Sequence, residues 1–171
     1  MLKYANHDIV FQEFPDEVTL AVNLTGCPCH CPGCHSQYLW DDNGEMLDIT
    51  RLLKLADHYG RNITCVALMG GDAEPQSVIS LLAQLRQERP FLRTGWYSGR
   101  PQLPECFAKA AETAQDKTGD PLLPDYVKTG PYIESLGPLS APTTNQRLYR
   151  YHRDGRVEDL TPTFWKKGLK L

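Results

Sequence analysis

The chain has no long apolar run, no block of like charge, no internal repeat and no low-complexity tract, and each absence removes a class of protein. Its apolar stretches fall far short of the roughly 20 residues that a membrane-crossing helix needs. A formal net charge of −3 without a basic stripe argues against general nucleic-acid binding. Neither a membrane nor a nucleic acid is therefore expected as a partner. The opening residues, MLKYANHDIVFQEF, contain no apolar core of the secretory kind. The six cysteines are accordingly expected to be thiols in a reducing cytoplasm and not a disulfide framework. No Ser-His-Asp set, phosphate-binding glycine loop or carboxylate pair is visible either.

At 171 residues and 41% hydrophobic content, the chain can bury one good core. Residues 1–171 are expected to form a single domain, with its functional core at about 17–150. EVTLAVNLTG (17–26) has the β-branched, apolar character of a strand. DITRLLKLADHYG (48–60) spaces Ile49, Leu52, Leu53 and Ala56 on one helix face, with Asp48 to cap its start and Gly60 its end. NITCVALMGG (62–71) predicts a buried strand ending in two glycines, and Pro75 to Arg89 an amphipathic helix with Val78, Ile79, Leu81, Leu82 and Leu85 inward. A strand at 92–99, a helix around Pro104–Ala114 and a strand at 125–132 follow. After Gly137 the pattern weakens to a loop and then a hairpin through Asp154-Gly155. Strands alternating with helices imply an α/β protein with a parallel sheet, whose ligands bind at the carboxyl ends of the strands.

The unusual segments fall at those ends. The first is TGCPCHCPGCHSQYLW, in which Cys27, Cys31 and Cys34 are spaced C-x₃-C-x₂-C. Four thiolates ordinarily hold a cubane iron–sulfur cluster. Three leave one iron open, and an open coordination position is what a catalytic metal site requires. Pro28 and Pro32 stiffen the loop, and Gly33 lets the backbone pass close to a metal. Cys29 leaves a four-thiolate zinc site conceivable. Structural zinc sites usually draw their ligands from two separated knuckles, however, and Cys65 and Cys106 each stand alone. Cys29 is taken as a bystander.

The second segment, Gly70-Gly71-Asp72, permits close backbone approach and offers a carboxylate to an ammonium group. Tyr97-Ser98-Gly99 ends the next strand and makes Ser98 a candidate contact. Lys128 could pair with a ligand carboxylate or be a solvated surface lysine. His35, directly after the third cysteine, could pack on an adenine ring or serve as a cluster ligand. Tyr38 and Trp40 are expected to roof the metal or to pack in the core.

Taken together, TGCPCHCPGCHSQYLW, MGGDAEP, TGWYSG, DYVKTGPYIESL and TTNQR resemble the anaerobic (class III) ribonucleoside-triphosphate reductase activating proteins, small members of the radical S-adenosylmethionine (SAM) enzymes. The resemblance runs from about Glu17 to Tyr149. It implies a shortened (β/α) barrel, open on one side, with a 4Fe-4S cluster on Cys27, Cys31 and Cys34 and SAM beside it. Gly33, Cys34, His35 and Gly71 match the family's cofactor contacts. The implied reaction cleaves SAM to methionine and a 5′-deoxyadenosyl radical, which takes a hydrogen atom from a glycine near the C-terminus of the partner reductase. The electron would come from a low-potential donor such as a flavodoxin. His35 stands where relatives often carry tyrosine, and Thr143-Thr144-Asn145-Gln146 where they often show Gly-Ser-Ser-Asn-Gln. Asn145 and Gln146 are expected at the partner or cofactor surface. The competing expectations are an activase of another glycyl-radical enzyme, a radical SAM enzyme for a small molecule, and a zinc- or cluster-binding module without turnover.

Overall fold

A computed structural model describes residues 1–103, 105, 123–152, 154 and 156–165. The strands are β1 (Lys3–Val10), β2 (Thr19–Leu24), β3 (Glu45–Met46), β4 (Cys65–Met69), β5 (Arg93–Tyr97), β6 (Tyr126–Thr129), β7 (Arg147–Tyr151) and β8 (Val157–Asp159). They form one sheet in the order β3-β1-β2-β4-β5-β6-β7-β8. The four central strands, β2, β4, β5 and β6, run parallel. Two antiparallel strands extend the sheet at each side. The fold is mixed α/β.

Each element has a local cause. Helix α1 (Ile49–Tyr59) starts where the Asp48 carboxylate accepts the Arg51 backbone N–H at 2.8 Å. It stops at Gly60, whose φ of 55° suits a residue without a side chain. Helix α2 (Pro75–Glu88) begins on a proline, which lacks the N–H that a first turn cannot pair. Its Val78, Ile79, Leu81, Leu82 and Leu85 are buried, as their spacing predicts. Strands β2, β4 and β6 are buried along almost their whole length, as expected of strands covered on both faces. Alternation divides β4 between two cores: Val66 and Leu68 pack with α1 and α2, while Cys65 and Ala67 pack with Phe14, Tyr126 and Leu148.

One expectation changes, one strand is added and the expected tail hairpin forms. The sheet is mixed rather than wholly parallel, because β1 pairs antiparallel with β2 and β7 antiparallel with β6. The N-terminal segment forms β1 against β2, with His7 opposite Val22. Its Asn6, His7 and Asp8 are poor strand formers, so pairing with a neighbour, not propensity, makes it a strand. The tail hairpin forms as β7–β8, closed by the His152 N–H donating to the Arg156 carbonyl at 2.9 Å. Apart from Glu105, the helix expected at Pro104–Ala114, with Cys106 in it, lies outside the described residues, as does Gly155. Among the described residues, no helix is long and apolar enough to cross a membrane.

Candidate metal centre

The cysteine loop leaves β2 at its carboxyl end and is tied back on itself. The Gly26 N–H donates to the Asp41 carbonyl at 3.2 Å, and the Cys27 N–H donates to the Leu39 carbonyl at 2.9 Å. The chain turns within this frame through left-handed conformations at Gly26, His30 and Gly33, with φ of 70°, 42° and 75°. A non-glycine residue there is unusual. The His30 ring is held by stacking on Trp40 at 4.9 Å between centroids. Trp40 therefore packs on the loop, whereas Tyr38 is 54% exposed. Gly33 and His35 are exposed, and a Cβ on Gly33 would stand 3.5 Å from Tyr132 and Glu134.

Asp72 lies beneath the loop. It is 1% exposed and accepts from three neighbours: the Ser98 hydroxyl, the Gly99 N–H at 2.9 Å and the Cys29 thiol at 3.8 Å. Arg100 donates to the Asp72 carbonyl at 3.0 Å. The sequence supplied Asp72 and Ser98 as separate candidates; their hydrogen bond joins the ends of β4 and β5. Arg100 was missed, and nothing in its spacing marks it. Gly99 has a specific reason to be glycine, since a Cβ there would stand 2.7 Å from the Cys29 sulfur.

Lys128 lies next to the last residue of β6, beside this group. It is buried, and its ammonium donates to the Gly130 carbonyl at 2.7 Å. Burial pushes its pKa down to about 8, against the opposing pull of Asp72, Cys31, Cys29 and Cys34. The Cys29 thiol is pushed up to about 12 by burial and by the negative charge of Asp72, Cys27 and Cys31. The loop thiols, Asp72 and Lys128 thus share one electrostatic neighbourhood. Gly70 and Gly71 border it with φ of 99° and 84°, but Gly71 faces inward. A Cβ on Gly71 would stand 2.5 Å from Val78 and 2.7 Å from Leu24. Gln146 is buried, and its side-chain amide donates to the Gly130 carbonyl at 3.4 Å. Asn145 donates to the Pro131 carbonyl at 2.9 Å.

Among the described residues, one group of three donors draws its ligand atoms to within 4.8 Å of one another: Cys27, Cys29 and Asp72. Cys31 and Cys34 belong to no such group. That spacing suits a single ion, whereas thiolates on separate corners of a cubane stand farther apart.

Residues 18–121 match the family described as a 4Fe-4S single cluster domain. The chain belongs to that family. Neither a curated protein nor a solved structure matches it. The matched segment contains β2, the whole cysteine loop, β4, α2 and β5, so the loop and its polar floor fall inside the cluster domain. The donor set fits the cluster. Cys65 is fully buried among apolar neighbours, where desolvation holds its thiol protonated. Among the described residues, the loop thiols are then the remaining cysteines, and the Ser36 N–H already donates to the Cys34 sulfur at 3.4 Å. Hydrogen bonds of this kind help set a cluster's potential.

Proposed function

We propose that this 4Fe-4S protein is a radical SAM activase that installs a glycyl radical on an anaerobic ribonucleoside-triphosphate reductase. One observation carries the reading. A loop with C-x₃-C-x₂-C spacing stands over a buried Asp72–Ser98 pair and a buried Lys128, at the carboxyl ends of adjacent parallel strands. In this reading Cys27, Cys31 and Cys34 hold the cluster, and the strand core is that of a shortened (β/α) barrel.

When bound, the cluster supplies the electron that splits the sulfonium of SAM, and the radical so released ends on a glycine of the partner. The protein's own residues bind and orient. Lys128 is desolvated beside the loop and offers a cation to the SAM carboxylate. Asp72, held by Ser98 and Gly99, fixes a negative pole for the ammonium group. Gly33 and His35 are exposed and flank the half-buried Cys34, so that an adenine can lie against this backbone. Gly70 and Gly71 bring a backbone turn beside them. The low-potential electron donor and the reductase's C-terminal glycine loop then approach from the solvent side, in the cytoplasm.

Anaerobic reconstitution with iron and sulfide, followed by dithionite and SAM, should release 5′-deoxyadenosine. Adding the candidate reductase should produce a glycine-centred electron paramagnetic resonance signal. A reconstituted cluster that leaves SAM intact would refute the proposal.

A further inference from the structure

We propose that Cys27, Cys29 and Asp72 form a mononuclear site for a borderline divalent ion, Zn²⁺ or Fe²⁺, in the chain that lacks its cluster. The three donor atoms already lie within 4.8 Å of one another. They come from segments 43 residues apart, so the fold, not chain proximity, assembles them. Two thiolates and one carboxylate suit zinc and ferrous iron and disfavour magnesium and calcium, which prefer all-oxygen shells. Three protein ligands leave a fourth position for water, an open coordination and not the closed shell of a structural zinc site.

The carboxylate is oriented as metal-binding carboxylates usually are. Ser98 donates to one oxygen, Gly99 to the other, and Arg100 to the main-chain carbonyl of the same residue. The Cys29 thiol takes up the remaining side of Oδ2, at 3.8 Å. An ion would replace that thiol proton, which would leave to solvent without any change of redox state. Cys29, the one loop cysteine outside the C-x₃-C-x₂-C set, thereby acquires a role. If Cys27 is also a cluster ligand, ion and cluster exclude each other; that consequence rests on the function proposed above.

The test is Co²⁺ titration of the reduced, metal-free full chain under anaerobic conditions. One ion should bind with tetrahedral d–d bands and a charge-transfer band of two-thiolate intensity. Cys29→Ala and Asp72→Asn should each weaken binding by about 10-fold or more. Gly99→Ala should also weaken it, because the new methyl group meets the Cys29 sulfur. Cys34→Ala should bind like the parent. Circular dichroism confirms that each variant is folded, and Cys29→Ala removes only a half-buried side chain. Unchanged binding in Cys29→Ala, or an equal loss in Cys34→Ala, overturns the site. Zinc loaded beforehand should slow cluster reconstitution. If the cobalt pattern holds but zinc does not interfere, the ion site stands and Cys27 is not a cluster ligand.

Discussion

Asp125→Ala tests how the strands that carry the site are held in line. Asp125 precedes β6 and is 2% exposed. Its Oδ1 accepts from Arg86 of α2 at 2.6 Å, and its Oδ2 accepts the Thr94 N–H of β5 at 2.9 Å. Arg86, itself 7% exposed, also donates to the Leu123 carbonyl at 2.9 Å. One carboxylate therefore joins α2, β5 and β6 at the amino ends of strands whose carboxyl ends bear Ser98 and Lys128. Removing it breaks a buried ion pair, which costs about 3–5 kcal/mol. A domain of this size has only about 5–15 kcal/mol in all. With m near 2 kcal/mol/M, the urea midpoint should fall by about 2 M at unchanged m. The Arg86→Met/Asp125→Ala double variant should lose less than the two single losses combined, because both single variants break the same ion pair. A loss below about 1 kcal/mol in Asp125→Ala would show that the pair behaves like an exposed one and would refute the argument.

Three further outcomes are expected. Gly71→Val should lower stability by about 1–3 kcal/mol or more, through collision with Val78 and Leu24 and a φ of 84°; an unchanged melting temperature would sink this. Lys128→Met should stabilise the cluster-free chain near pH 7. The folded pKa of about 8 lies below the ordinary 10.5, so burial penalises the native state fully below pH 8, and the penalty fades as pH rises to 10.5. That shift corresponds to about 3 kcal/mol, less about 1 for the lost bond to Gly130, so the variant's advantage should be about 2 kcal/mol at neutral pH and should shrink toward pH 10.5 in urea titrations. An advantage independent of pH would mean that Lys128 is not desolvated. Finally, iron analysis after reconstitution should find Cys65→Ala fully loaded and Cys34→Ala depleted; the reverse result would place the cluster elsewhere.

Much of the frame is legible locally. Asp48 and Gly60 bound α1 because caps act within one turn of the backbone. Continuous apolar runs mark β2 and β4, because strands buried on both faces need no polar side. The cysteine spacing, too, announces metal chemistry without any knowledge of the fold. The strand character of Lys3–Val10 could not be read in the same way, since its polar residues become a strand only once β2 supplies the hydrogen bonds. Gly95 likewise shows its reason only in three dimensions, where the Phe14 ring occupies the space a Cβ would need.

By itself, then, the sequence determined the α/β alternation, the caps and a thiol-rich loop at a strand end, because periodicity and spacing act over a few residues. Only the tertiary structure decided that Cys29 meets Asp72, that Ser98 and Gly99 orient that carboxylate, and that Lys128 is buried beside them. These contacts join residues from separate strands, and their partners are chosen by sheet register and desolvation, which no local pattern encodes.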